Sequence, residues 1–217
     1  MRQIRNEKGF SLPELIASLP LVALVFIVIA IAVISFITTY EETRLYAQLQ
    51  QELFETIETI RHGYAMAGVT DEEGLIGLLT ARQVDIGYAN NSIKIIPIVP
   101  GEALGDDNYW VRYHVDNDGR LILNAQYGLQ YINNRVIFPQ SDEKIGNQYK
   151  FRITNRNDVF VDKTPLGSDE TFLVGIRLQG EVRFRERGRN QSLEEDRLQN
   201  TKTIEYNTQV FLGNKDI

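Results

Sequence analysis

The sequence predicts an α+β fold in which a long N-terminal helix packs on a C-terminal antiparallel β-sheet head domain. Residues 15–40 contain no Asp, Glu, Lys, Arg or His, and a helix of about 20 apolar residues crosses the hydrocarbon core of a bilayer. After residue 63, β-branched and aromatic runs alternate with turn residues, as in an antiparallel sheet. We divide the chain into a leader, a transmembrane and assembly helix, an amphipathic extension and a β-rich head: residues 1–9, 10–40, 41–63 and 64–217.

The leader is basic. Arg2, Arg5 and Lys8 precede Gly9, and positive residues beside an apolar span favour a cytoplasmic N-terminus. No small-residue signal cleavage site follows Phe36, so the span is expected to remain as an anchor. The predicted location is the cytoplasmic membrane, crossed once, with the head on the extracytoplasmic side.

The helix opens with a single carboxylate, Glu14. An ionised carboxylate costs about 2.5–3.5 kcal/mol at the bilayer centre and less near its edge, so a cationic partner is expected. Pro13 fits a first helical turn, where its missing N–H has no intrahelical partner. Pro20 removes an interior hydrogen bond and is expected to kink or locally melt the helix.

The amphipathic extension carries an apolar stripe at three- and four-residue steps, as a helix with one buried face does. Its members are Tyr46, Leu49, Leu53, Ile57, Ile60 and Tyr64. The stripe is too short for a sustained coiled coil. Packing against the head is the favoured interpretation.

The head begins with a capping-box spacing at Thr70 and Glu73, which predicts a short helix over 70–81. An Asp-Gly turn at 116–119 predicts a hairpin, and 155–158 predicts another turn. The predicted strands are 92–99, 109–115, 120–124, 130–138, 149–154, 159–162, 172–185 and 202–212.

Gly9, Phe10 and Glu14, placed between a basic leader and an unbroken apolar span, resemble the type IV pilin and pseudopilin superfamily. The resemblance implies that prepilin peptidase cuts between Gly9 and Phe10 and that Phe10 becomes N-methylated. It also implies that Glu14 meets the N-terminal amine of a neighbouring subunit. Because an unpaired charge in an apolar bundle is heavily penalised, such a pair would fix the register of assembly.

Two parts of the head resemble larger minor pilins of the W type and minor pseudopilins of the J type: 110–113 with 119–121, and 172–178 with 208–214. The resemblance implies a minor subunit of a type IV pilus, competence pilus or type II secretion pseudopilus. Its partners would be prepilin peptidase, sister subunits and the membrane. The bulky head suggests a low-copy subunit near a tip. In this family the tip-most subunit often lacks the glutamate, so Glu14 favours an initiating or subterminal position.

Enzyme chemistry finds little support, since the chain has no Cys and only His62 and His114. It also lacks a G-x-S-x-G or phosphate-binding G-x-x-x-x-G-K motif. Asp116 begins an oxygen-rich run, but the twelfth position of a calcium loop would be Tyr127, not Glu. Glu102, Asp106 and Asp107 are interpreted as a solvated loop; a calcium site there is the alternative. No catalytic residue, metal, cofactor or small-molecule substrate is predicted.

The net charge is −6, and removing residues 1–9, with three basic residues and one acid, makes it −8. An acidic exported part disfavours nucleic-acid binding driven by electrostatics without excluding it. Arg183, Arg185, Arg187 and Arg189 form a local basic cluster. A solvated, edge-protecting face is the favoured interpretation. A partner-docking loop that includes Arg187 and Arg189 is the alternative.

A second class of function is also compatible with the sequence. A single-pass anchored domain acting as a monomer would bind a ligand or perform chemistry outside the membrane. Such a protein would have no requirement for Gly9 or Glu14, whereas a pilin-like subunit would need both.

Overall fold

The computed structural model describes residues 12–65, 75–97, 108–145, 148–166, 173–184 and 201–212. The long helix predicted for the N-terminal region is present as α1, Leu12–His62. The chain divides into two compact units, the first ending at Arg44 and the second beginning at Leu45. Helix α1 and the antiparallel sheets described below confirm the α+β class.

The first unit contains the apolar turns of α1. Every described side chain from Leu12 to Ile37 is exposed, including Phe36 at 72%. Helix α1 is continuous through Pro20, so the local melting expected at this proline is absent. Its first turn contains Pro13, where proline is tolerated.

In the second unit, α1 ends at His62, and Gly63 follows with φ +101°, a conformation that glycine adopts readily. Strand β1 (Tyr64–Ala65) then pairs antiparallel with β2 (Leu75–Ile76). A 3-10 turn, Leu78–Thr80, comes next.

The helix predicted over 70–81 is therefore wrong for its described residues 75–81. A Cβ on Gly63 would lie 2.6 Å from the carbonyl carbon of Ile76. Ile76 is extended because it pairs with Tyr64, and the side chains of Ile76 and Leu78 are fully buried. Strand pairing and burial thus override the local capping signal.

Five strands form the first sheet, an antiparallel meander in the order β3-β4-β5-β6-β7. Their bounds are β3 Ala81–Ile86, β4 Ser92–Pro97, β5 Tyr109–Val115, β6 Leu121–Tyr127 and β7 Gln130–Phe138. The hairpin predicted at 116–119 is confirmed, since β5 and β6 pair from Tyr109↔Tyr127 to Val115↔Leu121. The predictions for 109–115 and 130–138 are also confirmed, while β3 has no counterpart in the sequence prediction.

A short ladder and a second sheet follow. The ladder joins β8 (Lys144–Ile145) to β9 (Gln148–Tyr149). The second sheet contains β10 Phe151–Ile153, β11 Phe160–Asp162, β12 Leu173–Arg183 and β13 Thr201–Phe211.

The registers show that β10 and β11 occupy the same edge of β12. Strand β13 pairs with β12 over its whole length, from Leu173↔Phe211 to Arg183↔Thr201. Strand β10 meets β12 at Val182–Gly180, and β11 meets it at Ile176–Val174. Because β13 occupies one edge of β12 over its whole length, β10 and β11 lie on the opposite edge. The predicted turn at 155–158 is the excursion between them.

The core of the second unit is built on the apolar stripe of α1. Leu49, Leu53 and Ile60 are fully buried and Ile57 is 5% exposed. They belong to one hydrophobic cluster with side chains from both sheets. These contacts confirm the expectation that the head covers the apolar stripe.

Gly180, in β12, permits close packing against α1. A Cβ at this position would lie 2.5 Å from Cδ1 of Leu53 and 3.1 Å from Cδ1 of Leu49. Both leucines are fully buried, so they have little room to move away. A larger residue here would force α1 and β12 apart.

We expect Gly180→Ala to lower the free energy of unfolding by about 1–3 kcal/mol, because it overpacks a filled core. Gly175→Ala on the same strand is the matched control. Its Cβ would meet Cγ of Lys163 at 3.2 Å, and Lys163 is exposed and can move. Urea unfolding of the full chain in micelles, followed by fluorescence of the single Trp110, measures both. Equal losses in the two variants would contradict this account.

Candidate functional site

The first candidate site is the apolar part of α1. This is the one helix in the described ranges that is long and apolar enough to cross a membrane, and no residue of its most apolar stretch is buried within the chain. Apolar side chains exposed on all sides of a helix need an apolar surrounding. The coarse expectation of a membrane-spanning helix near the N-terminus is supported on this ground.

Glu14 lies in the first turn of α1 with an exposed side chain. It is the only charged residue between Leu12 and Tyr40. Backbone N–H groups at a helix N-terminus favour a nearby negative charge, so its position suits a carboxylate. The role of Glu14 in assembly stays a prediction.

Several residues predicted to be functional lie outside the described residues. They are Gly9 and Phe10 of the processing site, Arg187 and Arg189 of the possible partner loop, and Glu102, Asp106 and Asp107 of the alternative calcium site. Of the basic cluster, Arg183 is described: its Nη1 donates to Oε1 of Gln148 at 2.9 Å. Among the residues that the structure describes, no group of three or more His, Asp and Glu side chains is placed to hold a metal ion.

A second candidate feature is a polar clasp between α1 and the segment after β7, formed by Glu52, Glu55 and Gln140. Glu52 is only 5% exposed. Its Oε2 accepts the backbone N–H of Gln140 at 3.1 Å, and its Oε1 accepts Nε2 of Gln48 at 2.9 Å. Buried polar groups are rarely left without hydrogen-bond partners, and the hydrogen bond from Gln140 ties this carboxyl group of α1 to the segment after β7.

Glu55 completes the clasp on the exposed side. Its carboxylate accepts Nε2 of Gln51 at 2.8 Å and Nε2 of Gln140 at 2.9 Å. These two hydrogen bonds, that from Gln51 first, lower the pKa of Glu55. Gln140 thus binds α1 through both its backbone and its side chain. The sequence gives one weak signal for the clasp: Glu52 lies beside the apolar stripe rather than opposite it.

We expect Glu52→Ala to lower the free energy of unfolding by about 1–3 kcal/mol, because the backbone N–H of Gln140 loses its acceptor inside the protein. Glu52→Gln is the matched variant, since its amide oxygen can still accept that hydrogen bond. Urea unfolding monitored by Trp110 fluorescence should rank the proteins as wild type, Gln variant and Ala variant in falling stability. A Gln variant less stable than the Ala variant would show that this hydrogen bond is not the main contribution.

The third feature is the hairpin turn after β5, where one carboxylate organises the backbone. Oδ1 of Asp116 accepts the N–H groups of Asp118 and Arg120, both at 2.9 Å. Its Oδ2 accepts Nε of Arg120 at 2.7 Å. All three of these hydrogen bonds lie within the turn, which agrees with the hairpin interpretation of this run over the calcium-loop one.

His114, two residues before Asp116, is half-buried on β5. Burial lowers its pKa, the nearby Arg112 lowers it further, and Asp116 opposes both. The folded state therefore favours the neutral imidazole more than the unfolded chain does. A structural role on the sheet agrees with the sequence-based interpretation.

The sign of this shift predicts a pH dependence. Above the ordinary histidine pKa of about 6.5 the contribution to stability is complete. As the pH falls below that value, the unfolded chain binds a proton first, and stability declines until the lowered folded-state pKa is passed. Urea midpoints measured between pH 7.5 and 5 should show this decline. His114→Gln should reduce it. The same slope in wild type and His114→Gln would refute the assignment.

No protein-family model, curated protein or solved structure matches the chain.

Proposed function

We propose that this chain is a minor pilin or pseudopilin: a structural subunit processed by prepilin peptidase and assembled into a type IV pilus, competence pilus or type II secretion pseudopilus. The observation that carries the proposal is the sequence of Gly9, Phe10 and Glu14 followed by an uncharged apolar span. The exposed apolar surface of α1 supports it, since this surface suits first a bilayer and then a bundle of similar helices.

In this proposal, peptidase cleavage after Gly9 frees the amine of Phe10, and methylation of that amine keeps its positive charge. The carboxylate of Glu14 on one subunit pairs with the amine of the next. An ion pair between apolar helices contributes little net stability, but leaving one partner unpaired costs about 3–5 kcal/mol. Subunits would therefore be held in one axial register.

The second unit serves as the exported head. Its polar clasp and Gly180 hold the outer turns of α1 firmly against the sheets, as a subunit that transmits force from helix to head requires. A head of this size favours a low-copy subunit, and Glu14 favours an initiating or subterminal position over the extreme tip.

The first experiment is mass spectrometry of the N-terminus of protein recovered from membranes, with and without co-expressed prepilin peptidase. We expect peptidase-dependent loss of residues 1–9, with or without methylation of Phe10. Gly9→Leu should retain the leader, because the bulky side chain blocks cleavage. An intact Met1 in both samples would overturn the proposal and favour the monomeric anchored domain.

The second experiment separates processing from assembly. Glu14→Ala should be processed normally, but its recovery in the assembled fraction should fall by about tenfold or more, given the cost of an unpaired charge. Glu41→Ala is the matched control, since Glu41 is the next carboxylate along α1 and lies outside the apolar span. Crosslinking to sister subunits in membranes measures both. Equal recovery of the two variants would remove Glu14 from the assembly mechanism.

A further inference from the structure

A polar cleft of about 470 Å³ lies where three loops of the head meet. The loops follow β3, β5 and β10, and we call the space between them the loop cleft. Its lining is Asn91, Val115, Asp116, Asn117, Thr154, Asn155, Arg156, Asn157 and Asp158. Eight of these nine residues have polar side chains. Pockets for small molecules are usually about 300–1,000 Å³ and mostly apolar, so this one has the size of a ligand site but suits a polar ligand.

Backbone hydrogen bonds lock the three loops together. The carbonyl of Asn90 accepts the N–H groups of Val159 at 3.0 Å and of Phe160 at 2.9 Å. The carbonyl of Gly119 accepts the N–H of Ile153 at 2.7 Å. These bonds connect the first sheet to the second. The cleft is therefore formed before any ligand arrives, which reduces the entropic cost of binding.

Hydrogen bonds also fix two side chains of the cleft lining, those of Asn155 and Asp116. Nδ2 of Asn155 donates to the carbonyl of Arg177 at 2.7 Å, and its Oδ1 accepts the N–H of Gln179 at 2.8 Å. The carboxylate of Asp116 is occupied by its own turn. These residues shape the cleft and have little capacity left for a ligand.

The other asparagine side chains of the cleft lining are available to bind a ligand. Within the described ranges, the side chains of Asn91, Asn117 and Asn157 have no hydrogen-bond partner. Asn117 and Asn157 are also exposed. Each carboxamide presents both a donor and an acceptor. Three such groups around one preformed cleft match a ligand whose groups also donate and accept.

The charged residues of the cleft lining restrict the class of ligand. Asp116 is paired with Arg120 at 2.7 Å, which leaves Arg156 and Asp158 with opposite charges at the rim. The lining thus has little net charge to attract a polyanion. No set of His, Asp and Glu side chains suited to a metal ion exists among the described residues.

We propose that the loop cleft binds a neutral carbohydrate, one or two sugar units of a glycan, without turnover. Sugar hydroxyl groups donate and accept hydrogen bonds, as the free carboxamides do, and carry no charge. Asn117 and Asn157 contact the sugar directly from two different loops. Asn155 holds its own loop against β12 and so shapes the cleft. This binding function goes beyond subunit assembly and does not depend on it.

The test compares two proteins on one printed array of neutral oligosaccharides. Full-length wild type and the double variant Asn117→Ala/Asn157→Ala are applied in dodecylphosphocholine micelles, since this detergent has no sugar headgroup. The strongest glycan is then titrated by saturation-transfer difference NMR. We expect a saturable signal for wild type and affinity at least about fivefold weaker for the double variant, because neutral hydrogen bonds are lost. Asn207→Ala, at an exposed asparagine of β13, should bind like wild type.

Two results would overturn the proposal: no neutral glycan binds wild type above the level of the double variant, or the array shows binding to added sulfated glycans only. The second result would point to Arg156 and an anionic ligand. Thermal unfolding by circular dichroism checks that each variant is folded, and the two single variants replace the double variant if it is not. Because the array is independent of leader processing and of Glu14, failure here leaves the proposed assembly function intact.

Discussion

The head depends on one constraint: a single helical stripe must be buried while the rest of the helix surface stays accessible. Leu49, Leu53 and Ile60 are completely enclosed, and burial of each such side chain is worth about 1.5–3 kcal/mol. The chain has no cysteine, so no disulfide adds to this. Both sheets contribute to the enclosure.

Two contacts of different kinds fix the position of α1 against the sheets. Gly180 sets the distance between α1 and β12 by leaving space for two leucine methyl groups. The clasp of Glu52 and Gln140 sets the position along the helix, since a hydrogen bond to one backbone N–H tolerates little sliding. Dispersion and burial are not directional, whereas hydrogen bonds are. A helix held by both kinds of contact has one preferred register in the head.

Much of the fold could be predicted from the sequence because its signals are local. The apolar span, the Asp-Gly hairpin and the strand at 109–115 depend on residues close together in the chain. The helix predicted over 70–81 failed because the pairing of Tyr64 with Ile76 is a contact between distant residues. The loop cleft likewise depends on residues that are distant in the chain. Asn117, Asn155 and Asn157 lie in turns that the sequence predicts, but nothing in the sequence shows that these turns converge with the loop at Asn91. The residues predicted for processing and assembly, in contrast, all lie between Gly9 and Glu14.

The edge of β12 that pairs with β10 and β11 is interrupted, and this interruption gives the sequence of the head room to diverge. Because β10 and β11 pair separately with β12, residues 155–158 leave the ladder and rejoin it farther along. Residues 156–158 are exposed, and exposed segments of this kind accept substitutions and insertions with little effect on the elements they connect. Asn155 is the exception, because its amide is bonded to β12. Changes in length or composition here would reshape one wall of the head's surface while the strand register on either side is kept. Selection could therefore act on this stretch independently of the helix, so that heads with different surfaces are carried by the same anchor.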